Sequence, residues 1–221
     1  MGGHLDLYCE RTAAGLAAEP LNTLSNLAFL VAAGLLLGPY RRAYRGRLRQ
    51  GWDLALLIAL IAAIGIGSGL WHLTAQVWAL WLDVLPILAY ISLFLLVALR
   101  RAAGLTWPAT LALFALYHAV NGAVQASLPP DTLNGSVFYL PTWVALALLA
   151  LWLTRRGLPG AREFTLATGL LAVSLTLRTL DLSVCAWLPV GTHFLWHVLN
   201  ALVLYRLTAG LVRTAGNFAR G

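Results

Sequence analysis

Three histidines, His72, His193 and His197, lie in or beside long apolar stretches of this 221-residue chain. An imidazole in hydrocarbon is costly, so an ionisable side chain inside a membrane segment is a functional-site candidate by default. His193 and His197 are four residues apart and share one helix face. Ser68 precedes His72 by one helical turn, and Asp83 follows it by eleven residues. Three imidazoles with a nearby acid form the ligand set of a catalytic zinc with one open position. Such a zinc brings the pKa of water to about 7 and polarises a carbonyl. Asp83 would accept or orient the proton, and Ser68 would donate to a developing oxyanion. The chemistry is hydrolysis of an amide or ester. The plainer alternative is three histidines that hydrogen-bond between helices; three at one depth with an acid favour the metal.

The elements that must position these groups are membrane helices. The chain is 60% hydrophobic and 10% charged, with mean hydropathy +0.79, whereas a soluble domain carries about 25% charged residues. A spanning helix needs about 20 mostly apolar residues. Seven segments qualify, at 21–37, 52–71, 77–99, 107–127, 137–153, 164–182 and 190–211. Short connections make this one all-α domain over 1–221, a seven-helix transmembrane bundle with an outer N-terminal tail at 1–20. Residues 1–19 carry Asp6, Glu10, Arg11 and Glu19 and no apolar core, so they are not read as a signal peptide. His72 and Asp83 would stand about 16 Å apart on one continuous helix, so a reversal is expected at 73–76.

All 15 basic residues are arginine. Arg41, Arg42, Arg45, Arg47 and Arg49 follow the first segment, Arg100 and Arg101 the third, and Arg155, Arg156 and Arg162 the fifth. Arg206, Arg213 and Arg220 lie at the C-terminus. The positive-inside rule then sets the N-terminus outside and the C-terminus in the cytoplasm. The net charge of +7 follows this topology and is no sign of a nucleic-acid partner. The same topology brings His72, Asp83, His193 and His197 to one depth, near the outer face. Most acids also fall outside, which a cation site there would explain. Arg178 and Asp181, three apart, read as a helical ion pair. His118 and several asparagines (Asn22, Asn26, Asn121, Asn200), with Ser25, read as interhelical hydrogen bonds. His4 reads as a solvated tail residue, and the Gly65–Gly67–Gly69 spacing as a close helix approach.

Five motifs together resemble the alkaline ceramidases, within a seven-helix superfamily that also holds the adiponectin and progestin receptors. They are Y-C-E at 8–10, E-P-L-N-T-L-S-N at 19–26, G-S-G-L-W-H at 67–72 with Asp83, R-T-L-D at 178–181 with Cys185, and G-T-H-F-L-W-H at 191–197. The resemblance implies zinc on His72, His193 and His197, catalytic roles for Ser68 and Asp83, and a disulfide between Cys9 and Cys185. It implies hydrolysis of the ceramide amide to a sphingoid base and a fatty acid. It also implies a calcium site on the tail acids, with Glu10 and Glu19 matching; Leu7 and Thr12 stand where the family has oxygen ligands, and Asp6 or a backbone carbonyl would compensate. The alternative for these acids is a solvated tail, with Glu19 favoured by the dipole of the first helix.

The expected function is therefore a zinc-dependent intramembrane lipid amidase acting on ceramide or another N-acyl lipid. Its substrate would enter from the bilayer, with a headgroup amine near Glu10 and Glu19. The arginine-only composition and short termini point to a bacterial inner membrane, with the site on the periplasmic side. The rival is a receptor-like or signalling protein with a structural zinc. A transporter ranks behind both, because paired broken helices are missing.

Overall fold

The computed structural model describes residues 5–13 and 15–218, with side chains to residue 214; His4 and Arg220 lie outside these residues. The described chain is all helix and turn. Pro20 opens a short helix, α1 (Pro20–Ser25), where a missing N–H costs nothing. Asn26 joins it to α2 (Leu27–Ala43). There follow α3 (Trp52–Thr74), α4 (Val77–Val97), α5 (Trp107–Ser127), α6 (Leu140–Arg155), α7 (Ala161–Val184) and α8 (His193–Phe218). A π turn at Ala98–Ala102 extends α4, and a 3-10 turn at Ser136–Tyr139 leads into α6.

Six stretches are long and apolar enough to cross a membrane: Pro20–Ala43, Leu48–Thr74, Val77–Ala102, Ser136–Arg155, Ala161–Val184 and His193–Thr214. Helix α5 runs for 21 residues, but Tyr117, His118, Asn121 and Gln125 dilute its apolar character. It packs at the edge, against α4 and α6, and buries only Thr110 and Tyr117. His118 hydrogen-bonds across to Ser92 on α4 at 3.4 Å, whereas Asn121 leaves its Oδ1 without a partner. The protein is a multi-spanning membrane protein. Leucines such as Leu35 on α2, Leu85 on α4 and Leu148 on α6 stay exposed, the face that lipid covers.

One apolar core draws on α2, α3, α4, α6, α7 and α8. Its opposite ends differ in chemistry. At one end arginines meet acids: Arg101 grips both oxygens of Asp53 at 2.7 Å, and Arg206 and Arg213 flank Glu163 at 3.2 and 2.6 Å. The other end holds the histidines. Here α3 turns into α4 within two residues, as the spacing of His72 and Asp83 requires. Ala75 closes α3 in the left-handed region at φ +50°. Its carbonyl accepts from Leu5 N at 3.1 Å.

Helices α3 and α4 approach closely at Gly67, where any Cβ would fall on the Leu82 carbonyl, one residue before Asp83. The glycine lets Ser68 and Asp83 meet. Gly67→Val is expected to cost about 1–3 kcal/mol through overpacking, and more if the helices cannot part. A lowered melting temperature in detergent would show it; an unchanged one would contradict the close approach.

Candidate metal centre and its cavity

His72 lies in the last turn of α3, and His193 and His197 occupy the first two turns of α8. All three are buried, between 1% and 2% exposed. Each offers one ring nitrogen, and those nitrogens lie within 4.8 Å of one another, close enough to hold one ion. The structure thus joins residues 125 positions apart in sequence.

The second nitrogens have their own partners. His72 Nδ1 donates to Glu19 Oε2 at 2.6 Å. Ser25 Oγ gives its proton to the Asn22 carbonyl at 2.9 Å, which leaves it to accept from His197 Nδ1 at 2.8 Å. Both rings are therefore turned with Nε2 free, the arrangement by which outer groups fix a metal-binding tautomer. His193 Nδ1 is buried with no protein partner. Three imidazoles, each with a ring nitrogen available near one point, fit a zinc ion.

His193 is positioned by Asp181, a fully buried carboxylate on α7. Asp181 Oδ1 accepts from Thr192 N at 2.7 Å and His193 N at 2.9 Å, capping the free N–H groups that begin α8. Its Oδ2 accepts from Cys9 N at 3.2 Å. Gly191, at φ +62°, passes so close that a Cβ would strike Asp181 Oδ1. Cys9 and Cys185 are joined by a disulfide, with Cα atoms 5.2 Å apart. Asp181 and the disulfide together anchor the N-terminal tail beside α8.

The helical ion pair expected of Arg178 and Asp181 is not formed. Arg178 instead donates to the Asn134 carbonyl and, at 3.4 Å, to Ser136 Oγ, with its guanidinium over Tyr139 and Trp196. The three-residue spacing permits a pair on a helix surface. Here both side chains turn inward to satisfy backbone groups from other segments.

Ser68 and Asp83 lie beside the histidines. Both line a cavity, with Tyr8, Arg178, His193 and His197 at its polar end and Ile87, Phe94, Leu149, Leu171 and Leu207 along its apolar length. Its open space, mouth included, is about 1090 Å³. Asp83 Oδ1 is buried without a partner. The Tyr8 ring lies 4.0 Å from His193 and 4.8 Å from His72, and burial pushes its phenol pKa up.

The tail acids are not arranged as the sequence suggested. Glu10 accepts from Leu21 N at 2.6 Å and Asn22 N at 2.8 Å, so it caps α1. Glu19 is 1% exposed and bound by Arg11, Asn22 and His72. Burial raises its pKa, but the bond and charge of His72, then Asn22 and Arg11, outweigh burial and lower it. Asp6 is exposed. Among the described residues the histidines alone form a group of three or more side chains that could hold one ion, and no tail acid belongs to it. Nor do Glu10 and Glu19 line the cavity, where Asp83 is the one acid among the described residues. Glu10 and Glu19 are not solvated either: with Cys9 and Arg11 they are buried, while Asp6 and Thr12 stay exposed.

Sequence reasoning missed Arg11 and the capping role of Asp181. One signal was available: Arg11 and Arg178 are the two arginines that do not follow the end-of-bundle distribution of the rest. The family model described as Ceramidase matches residues 7–215 of the chain. No curated protein matches it.

Proposed function

Because the chain belongs to the ceramidase family, we propose that it hydrolyses the amide bond of ceramide or a related N-acyl lipid, with zinc on His72, His193 and His197. The observation that carries this reading is Asp83: an unpartnered carboxylate oxygen beside Ser68 and the three histidines, at the polar end of an apolar cavity. A zinc ion bound there supplies Lewis acidity for a carbonyl and for water. Asp83 accepts a proton as water attacks the amide carbon. It returns that proton to the nitrogen as the C–N bond breaks, giving a carboxylic acid and an amine. Ser68 donates to the oxygen that gains charge. Leu149, Leu171 and Leu207 receive an acyl chain and keep bulk water from the bond.

In this reading α5 is the seventh span, the N-terminus is outside, and the site opens toward the outer leaflet, which is the periplasmic side in a bacterial inner membrane. The gathering of Arg101, Arg206 and Arg213 at the opposite end, where they meet Asp53 and Glu163, supports that orientation.

Detergent-purified protein incubated with a panel of ceramides and other N-acyl lipids should release fatty acid and amine in equal amounts. A folded protein that binds zinc yet releases neither from any member would contradict the amidase and favour the receptor-like reading.

A further inference from the structure

Arg11 lies at the histidine end, away from the arginine clusters, and is only 5% exposed. An arginine is almost never fully buried without a partner. Its Nε meets Glu19 Oε1 at 2.5 Å, one terminal nitrogen reaches the His72 carbonyl at 3.1 Å, and the other the Gly15 carbonyl at 3.3 Å. One carboxylate and two backbone carbonyls, from the tail and from the end of α3, therefore converge on a single positive charge. Carboxylates and carbonyls are the oxygen ligands that a calcium ion collects. The second oxygen of Glu19 faces the other way, onto His72 Nδ1 and Asn22 Nδ2.

The chain thus runs from a tethered cation through one carboxylate to a metal-binding ring. Glu19 orients His72 and raises its basicity as an outer partner does, and Arg11 holds Glu19 from behind. Arg11 also grips the backbone of His72 itself. With the guanidinium filling the oxygen cage, and Glu10 committed to the start of α1, no carboxylate pair remains for a divalent ion.

We infer that Arg11 takes the place of a calcium ion in this protein: it is a built-in cation that locks the tail to His72, so the zinc site is held without calcium. Arg11 is a positioning residue, since it acts on the metal through Glu19 and His72. The inference rests on the zinc assignment of the proposed function, but its test does not need turnover.

Calcium is titrated into zinc-loaded wild-type protein in calcium-depleted buffer, with binding followed by calorimetry and by melting temperature. Zinc affinity is measured by chelator competition for wild type, Arg11→Gln and Arg11→Lys. The expected results are no stoichiometric calcium binding and no change in melting temperature for the wild type. Arg11→Gln should weaken zinc about 10-fold, the low end of the loss of an outer partner, because Glu19 stays but loses its anchor. Arg11→Lys, which keeps a cation with three donors, should recover most of that loss. Stoichiometric calcium binding by the wild type overturns the inference whether or not either variant folds. So does an Arg11→Gln protein with wild-type zinc affinity, or an Arg11→Lys protein as weak as Arg11→Gln. Absence of zinc binding by the wild type would refute the metal assignment itself, and the calcium arm would still report on the cage.

Discussion

Zinc and turnover are expected to vanish together in His193→Ala. His193 supplies one of three buried ring nitrogens within 4.8 Å of each other, and two imidazoles hold zinc far more weakly than three. Loss of the Lewis acid removes several kcal/mol of transition-state stabilisation, which at 1.36 kcal/mol per tenfold is a fall of at least about 10³ in kcat. The fold should survive, because Asp181 holds α8 through the backbone N–H of residues 192 and 193, which the substitution leaves in place. Elemental analysis of the purified variant beside a thermal melt checks this. A folded His193→Ala protein with a full zinc complement would contradict the ligand assignment.

Asp83→Asn should separate chemistry from metal binding. Asp83 is not a member of the ion-holding group, and its amide analogue fills the same volume next to Ser68. Zinc content should therefore stay at the wild-type level. The amide cannot take a proton from water, so kcat should fall about 10²–10⁴-fold, the usual worth of a positioned general base. KM should change little, since the apolar length of the cavity is untouched. Wild-type kcat in this variant would remove Asp83 from the reaction.

Much of this architecture was written in local patterns. The arginine clusters, read with hydrophobic length, by themselves bring His72, Asp83, His193 and His197 to one end of the bundle. The need for a reversal between His72 and Asp83 located the α3–α4 turn, and the glycines of G-S-G marked the close contact that Gly67 makes. Helix limits were less legible. The first helix begins at Pro20 and breaks at Asn26, where Asn22, Ser25 and Asn26 turn toward one another and His197. Helix α8 starts at His193, two residues after a left-handed Gly191.

What escaped was long-range satisfaction of buried charge. Arg178 and Asp181 obey the spacing of a helical pair. Yet a buried carboxylate gains more from three backbone N–H groups that have no other partner than from one guanidinium three residues away. Glu10, Glu19 and Arg11 look like a charged tail in one dimension. They are buried because the disulfide and Asp181 pull Cys9 against α8, and burial forces each charge to find a partner.

The most direct test follows fatty-acid release from an N-acyl lipid by the purified protein through removal and return of zinc. Release should stop when the metal is stripped and resume on one equivalent of zinc per chain, while Asp83→Asn reloaded in parallel stays nearly silent. Undiminished release by protein shown to be metal-free would contradict a zinc-dependent hydrolase at this site.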